Sequence, residues 1–313
     1  MPSANEELSF VSWKEGSTTW KLGNLLSSIC SKFGAQLKLV SKVDDSGGLS
    51  LPLRVARGEF DVVATYPHSA KWAFDGLFAY SQEKRASNLR AIAFIDRPSW
   101  LVIALARDTG LTSIRDIKER KYPLKLITTA RKSLTGDVDR DCFFSANNLS
   151  EEEFLNLGGK LFEIFKDIDN SQVGPYLRDG KADAVATYGE PLLRFWQEAT
   201  VWRDLIFVSP EQGALDLIAK KYRVDRGTIE AGTFRGQTSD VSTIAYPGWV
   251  IVCRDDLSDT IAYNIARELD VGSESLVRSS GRFAFNGNNA WKNTGVPLHG
   301  GAQKYYEDRG YLT

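Results

Sequence analysis

Gly16-Ser17-Thr18-Thr19, a run of small and hydroxyl-bearing residues, stands between the apolar stretch Leu8–Trp13 and a segment of helical spacing around Leu25. A strand, a tight turn and a helix aim the unpaired N–H groups of the first helical turn at one point. The helix dipole favours negative charge there. Anion binding is therefore the chemistry on offer, with Gly16 giving the turn and Ser17, Thr18 and Thr19 adding donors. A second set, Ala130-Arg131-Lys132-Ser133-Leu134-Thr135, precedes another helical stretch and adds two cations. Arg131, Ser133 and Thr135 are placed to converge on one carboxylate. Glu15 and His68 are the groups that could move a proton. Each has a plain alternative: Glu15 as a helix cap, His68 as a satisfied core histidine, and Arg131 with Lys132 as solvated cations at a loop tip.

Further candidates come from the ends of expected strands, where open α/β sheets bind ligands. They are Gly47 and Gly48 in Asp44–Gly48, Thr65-Tyr66-Pro67-His68, Tyr188 in Tyr188-Gly189-Glu190, and Tyr246 in Tyr246-Pro247-Gly248-Trp249. Arg97, beside Pro98, joins them at a chain junction. Hydroxyls, glycines and aromatics together suit a small polar or anionic ligand with an apolar or planar body. Any single aromatic among Tyr66, Trp72, Trp100, Tyr188 and Trp249 can equally be core.

Composition narrows the classes. Charged residues make up 25% of the 313 and the net charge is −1, so no strong field favours nucleic acid or an anionic membrane. No apolar run approaches the roughly 20 residues of a membrane span. Cys30, Cys142 and Cys253 are odd in number and far apart, which excludes a disulfide framework and a CxxC metal site; they read as free buried thiols. Two histidines cannot build a histidine-rich metal site, and no metal is expected. GxSxG and GxxxxGK[ST] are both absent. Acidic Glu6 and Glu7 without a following apolar core argue against a signal peptide at this N-terminus. The expected compartment is cytoplasmic if that lack is native, and extracytoplasmic if a leader has been removed. No heptad pattern fixes an oligomeric state.

The elements that must position these residues alternate between strand-like and helical runs, which argues for parallel sheets covered by helices. Strands are expected at Leu8–Trp13, Gln36–Val43, Phe60–Thr65, Leu89–Ile95 and Trp100–Arg107, the last two broken at Asp96-Arg97-Pro98 because proline cannot donate to a ladder. A second α/β set begins with Leu124–Thr128 and a helix from about Ser133 to Asn147. It continues with strands Lys160–Phe165 and Ala182–Thr187 and helices near Ser171–Arg178 and Glu190–Ala199. Val241–Arg254 reads as two strand pieces bent at Pro247-Gly248, and helices at Asp256–Asp270 and Ala302–Arg309 follow. The division expected is one lobe of residues 1–105 and 245–313 and a second of 106–244, with a hinge and a central cleft.

Several segments match a known pattern in order. Gly16–Gly23 resembles the first-strand loop of the TAXI family, the periplasmic-binding-protein-like solute receptors of TRAP transporters. Ser46-Gly47-Gly48 and Ala56–Asp61 resemble its second loop and helix-to-strand turn. Gly110–Lys118, Ala231–Gln237 and Val296–Ala302 with Tyr305-Tyr306 are similar to its later motifs. The resemblance implies a type II periplasmic-binding-protein-like α/β fold that closes on a small organic acid, without cofactor or turnover, partnered by TRAP membrane subunits. The chain departs from the pattern in its binding loops, at Lys14-Glu15, Ser17, Thr19-Trp20, Thr65–His68 and Ala130–Ser133. These changes add bulk, aromatic surface and charge, so the expected ligand is a planar or aromatic carboxylate or a dicarboxylate. The alternative is a cytosolic lyase or decarboxylase on the same fold, with Glu15 or His68 handling the proton and Arg131 holding a carboxylate.

Overall fold

The computed structural model describes residues 6–32, 37–280 and 283–312. In chain order the first elements are β1 (Glu6–Ser12), α1 (Thr18–Lys32), β2 (Leu37–Val43), α2 (Leu51–Ala56), β3 (Val62–Thr65), α3 (Pro67–Asp75) and the long β4 (Leu89–Ala106). Then come α4 (Arg115–Glu119), β5 (Lys125–Thr129), α5 (Gly136–Phe143), α6 (Glu151–Asn156), β6 (Lys160–Ile164), α7 (Val173–Arg178) and β7 (Ala184–Gly189). Next are α8 (Arg194–Trp202), β8 (Leu205–Phe207), α9 (Gln212–Tyr222), β9 (Asp225–Ile229) and β10 (Val241–Arg254). The chain closes with α10 (Asp259–Val271), α11 (Ser273–Ser280) and α12 (Gly300–Asp308). Gln36, expected at the start of the second strand, lies outside the described residues.

Two compact units result, residues 1–97 with 248–313, and residues 98–247. In the first unit the strand order is β2-β1-β3-β10-β4, with β1 parallel to both β2 and β3, and β10 antiparallel to β3. Helix α1 buries Thr19, Leu22, Leu26 and Ile29, a stripe at helical spacing, against this sheet. Gly23 lets the helix come close: a Cβ there would stand 2.5 Å from the Phe10 ring. In the second unit β4 runs antiparallel to β7, β5 is parallel to β6 and β7, β8 pairs with β4, and β9 with β10. Val102, Ile127, Val185, Leu177 and Trp196 form its buried centre. The sheets are mixed, not purely parallel.

Two expected breaks are not breaks. β4 and β10 are each continuous strands, and each passes through Pro98 or Pro247. The reason is a change of partner. Before Pro98, Phe94 N–H and Asp96 N–H donate to Ala290 and Ala284, while pairing with β7 begins at Trp100. β10 likewise pairs with β9 up to Ala245 and with β3 from Val250. Both prolines are exposed and fall between the stretches that pair with these partners. The expected helix from Ser133 is shorter: α5 starts at Gly136, and a 3₁₀ turn covers Ser145–Asn147. Helices α3 and α9 and strand β9 have no counterpart among the expected elements.

The motifs that carried the resemblance tie the units internally. Asp61 accepts from Ser9 N–H (2.8 Å) and Oγ (2.7 Å). Asp116 accepts from Thr112 N–H at 2.7 Å and from Ser113 Oγ at 3.0 Å, closing the turn before α4. Gln237 donates to the carbonyls of Ile229 and Ser239 and accepts from Phe234 N–H, which fixes the turn between β9 and β10. His299 Nδ1 accepts from Gly301 N–H as the cap of α12, and Tyr306 donates to the Ile92 carbonyl at 2.9 Å. These bonds give each of the residue types a conformational role.

Candidate functional site

In the first unit the turn before α1 is built by Gly16, whose φ of +73° needs no Cβ, and by Ser17. Ser17 Oγ accepts from Trp20 N–H at 3.2 Å and lies 3.2 Å from Thr19 Oγ1, so Ser17 is the cap of α1. Thr18 opens the helix half-buried; Glu15 is exposed on the turn. Gly47, at φ +91°, gives its carbonyl to Ser50 N–H (3.1 Å) and Oγ (2.7 Å), with half-buried Gly48 beside it. Asp44 is paired with Arg54, which also holds Glu59 at 2.6 Å.

The end of β3 and the start of α3 carry a buried aromatic group. Thr65 is buried, Tyr66 caps α3 ahead of Pro67, and His68 follows in the first turn. The Tyr66 ring stacks on Trp249 with centroids 4.5 Å apart and on His68 at 5.4 Å, and His68 meets Trp72 at 4.8 Å. Gly248 permits this: a Cβ there would stand 2.2 Å from the Ile95 carbonyl oxygen. Arg97, 1% exposed, lies with its guanidinium carbon 5.9 Å from the Trp249 ring and 5.7 Å from Phe283. Among the described residues nothing accepts from the buried Trp249 indole N–H. Leaving such a donor unmet costs about 1–3 kcal/mol. The structure thus brings Tyr66, His68 and Arg97 together with Trp249, which the sequence reading held only as wall or core.

The second unit uses its candidates differently. Ser133 donates to the Ala130 carbonyl (2.8 Å) and accepts from Gly136 N–H (3.1 Å), which shapes the loop before α5. Arg131 reaches Asp137 (3.3 Å), Asp141 (3.0 Å) and Glu151 (3.1 Å). Partial burial works against its charge, but the bonds to Asp141 and Glu151 outweigh that and hold the guanidinium above its ordinary value. Asp141 is also met by Lys221 at 2.6 Å and by Tyr222 Oη at 2.7 Å. Burial disfavours its carboxylate, yet Lys221, Tyr222 and Arg131 together keep it below the usual range. The Arg131 charge is therefore balanced by the protein's own acids.

Thr135 and Tyr246 do converge, on a residue the sequence reading missed. Asp139 is fully buried and accepts from Tyr246 Oη (2.7 Å), Thr135 Oγ1 (2.7 Å) and Thr129 Oγ1 (3.3 Å). The Tyr188 backbone N–H also donates to it, and burial pushes its carboxyl up to about 7. The available signal was Thr135 and Asp139 at i, i+4, hidden by the acids on either side, Asp137 and Asp141. Tyr188 itself accepts from Trp196 Nε1 at its carbonyl and from Asn170 at its hydroxyl. No group of His, Cys, Asp or Glu able to hold a metal occurs among the described residues. No helix there is long and apolar enough to cross a membrane.

The architecture is that of periplasmic binding proteins. The binding-protein component of an ABC phosphonate transporter from Pseudomonas aeruginosa superposes with a TM-score of 0.52 at 13% identity, over 93% of this chain and 83% of that one. The periplasmic aliphatic sulphonate binding protein SsuA from Escherichia coli gives 0.51 at 14% identity, over 98% and 84%. More specifically, residues 14–310 match the model of the NMT1-like family, and the chain belongs to that family.

Proposed function

We propose that the protein is a solute receptor that binds a small organic anion, a carboxylate with a planar or aromatic body, and releases it unchanged. The observation that carries this reading is the first unit's Arg97, buried against Trp249 and Phe283 beside the Tyr66–His68 stack. A guanidinium recognises a carboxylate by a two-point fork, and aromatic faces hold a flat body. The Trp249 indole N–H supplies a further donor in the same group. The turn before α1 keeps its hydroxyls and first N–H groups at the same end of β1 at which β3 delivers Tyr66. The TAXI-like segments extend the proposal to delivery of the solute to TRAP-type membrane subunits in an extracytoplasmic compartment.

Thermal-shift titration with benzoate, succinate and an alkanesulfonate tests the reading. Benzoate or succinate is expected to raise Tm by a few degrees at millimolar concentration. Trp249→Phe keeps a ring and removes the N–H; its expected effect is about tenfold weaker binding, the equivalent of roughly 1.4 kcal/mol. The reading is lost if no carboxylate shifts the melt, or if Trp249→Phe and Arg97→Lys both leave the affinity intact.

A further inference from the structure

The buried hydroxyl cluster around Asp139 has a property that solute binding does not require. Four donors, the hydroxyls of Tyr246, Thr135 and Thr129 and the N–H of Tyr188, meet one carboxyl that is wholly buried. They come from β10, the loop before α5, β5 and β7, so one side chain fastens α5 to three strands of its unit. Among the described residues no cation is ion-paired with it. Arg131 is turned to Asp137, Asp141 and Glu151; Arg140 to Glu151 and Glu163; Lys221 to Asp141; Lys125 to Asp183. Lys220, the other cation of the packed helix α9, is exposed, as is Arg223 just after it. The remaining acids close in sequence, Asp137 and Asp141, face those cations, and Glu190 is buried just beyond β7. The Cys142 thiol beside it is pushed up by burial first and by the charges of Asp139 and Asp141 next.

Three of the four donors are hydroxyls, which can turn. When the carboxyl is neutral its Oδ2 can donate to Thr135 or Thr129, and Thr129 is itself hydrogen-bonded to the Thr187 hydroxyl. Every polar atom then keeps a partner without any backbone movement. A lone carboxylate in the same place lacks a counter-charge, and desolvation weighs fully against it. We infer that Asp139 is a proton-operated pin: as a neutral acid it locks α5 to β5, β7 and β10, and its ionisation weakens the second unit.

The sign follows from which state holds the proton. Between the ordinary aspartate value of 3.8 and about 7, the folded protein keeps a proton that the unfolded chain has lost. This contribution to stability is complete below the ordinary value and is lost as pH rises through about 7. The gap between 3.8 and about 7 amounts at full extent to about a thousandfold in the unfolding constant.

Urea unfolding of the full chain and of Asp139→Asn, from pH 4.5 to 8, tests the inference. The wild type is expected to lose about two hundredfold more of its folding constant over this range than Asp139→Asn, in which the titrating group is gone. A carbon-13 NMR titration of aspartate carboxyls in the wild-type protein, which needs no variant, is expected to show one resonance with a midpoint near 7. Equal pH slopes for the two proteins overturn the inference. Should Asp139→Asn fail to fold, the NMR titration decides alone: every aspartate titrating below about 5 overturns it.

Discussion

Arg131→Ala separates a ligand anchor from a structural clasp. The guanidinium holds Asp137, Asp141 and Glu151 at 3.0–3.3 Å and is 39% exposed. Exposed ion pairs are worth about 0.2–1 kcal/mol each, so three sharing one cation predict a loss of about 1–2 kcal/mol. Asp141 keeps Lys221 and Tyr222, which limits the damage. In a unit of roughly 150 residues this loss lowers Tm by about 3–6 °C. The assay is urea unfolding at 0.1 M and 1 M salt, paired with the solute titration. The destabilisation should shrink at high salt, where screening shortens the reach of each charge to about 3 Å, and the affinity for the carboxylate should stay within twofold. An Arg131→Ala protein of unchanged stability that no longer binds the carboxylate refutes the clasp and returns Arg131 to the ligand.

Two glycines in the loops before α1 and α5 should respond differently to alanine. At Gly136 a Cβ would stand 1.9 Å from the Ala130 carbonyl oxygen and 2.6 Å from Ser133 Oγ, so Gly136→Ala is expected to cost about 3 kcal/mol or more by urea unfolding. Gly16→Ala meets nothing within 4 Å and bears only the cost of its positive φ, about 1 kcal/mol. The three thiols are free and buried, and burial first, then the Glu268 charge, pushes Cys30 up to about 12, with Cys142 and Cys253 raised as well. Native protein at pH 8 should therefore react with no equivalents of a thiol reagent over minutes and with three after denaturation.

How far the sequence could be read depended on whether a signal was local. The alternation of apolar runs located β1, α1, β2 and β5 within a few residues. Pro98 and Pro247 misled because a proline reports a missing donor, while only the fold reveals whether a neighbouring strand wanted it there. The turn before α1 was readable as strand, cap and helix. Asp139 was not, since Asp137, Asp139 and Asp141 look alike in sequence and their partners distinguish them, cations for Asp137 and Asp141 and hydroxyls for Asp139. Trp249 showed the same limit: its aromatic type was plain, whereas its unmet N–H depends on Gly248 bringing it under Tyr66. The segments most like a known family proved to be caps and turn locks, which explains why they signalled fold more strongly than ligand.

The central claim is that this member of the NMT1-like family holds a small carboxylate and does no chemistry on it. Proton NMR of the best thermal-shift ligand, incubated with stoichiometric protein for a day, tests it most directly. The account predicts line broadening that saturates at one equivalent and full recovery of the unaltered acid after denaturation. Loss of the carboxyl group, or any new product resonance that grows with protein concentration, contradicts it and makes the protein an enzyme.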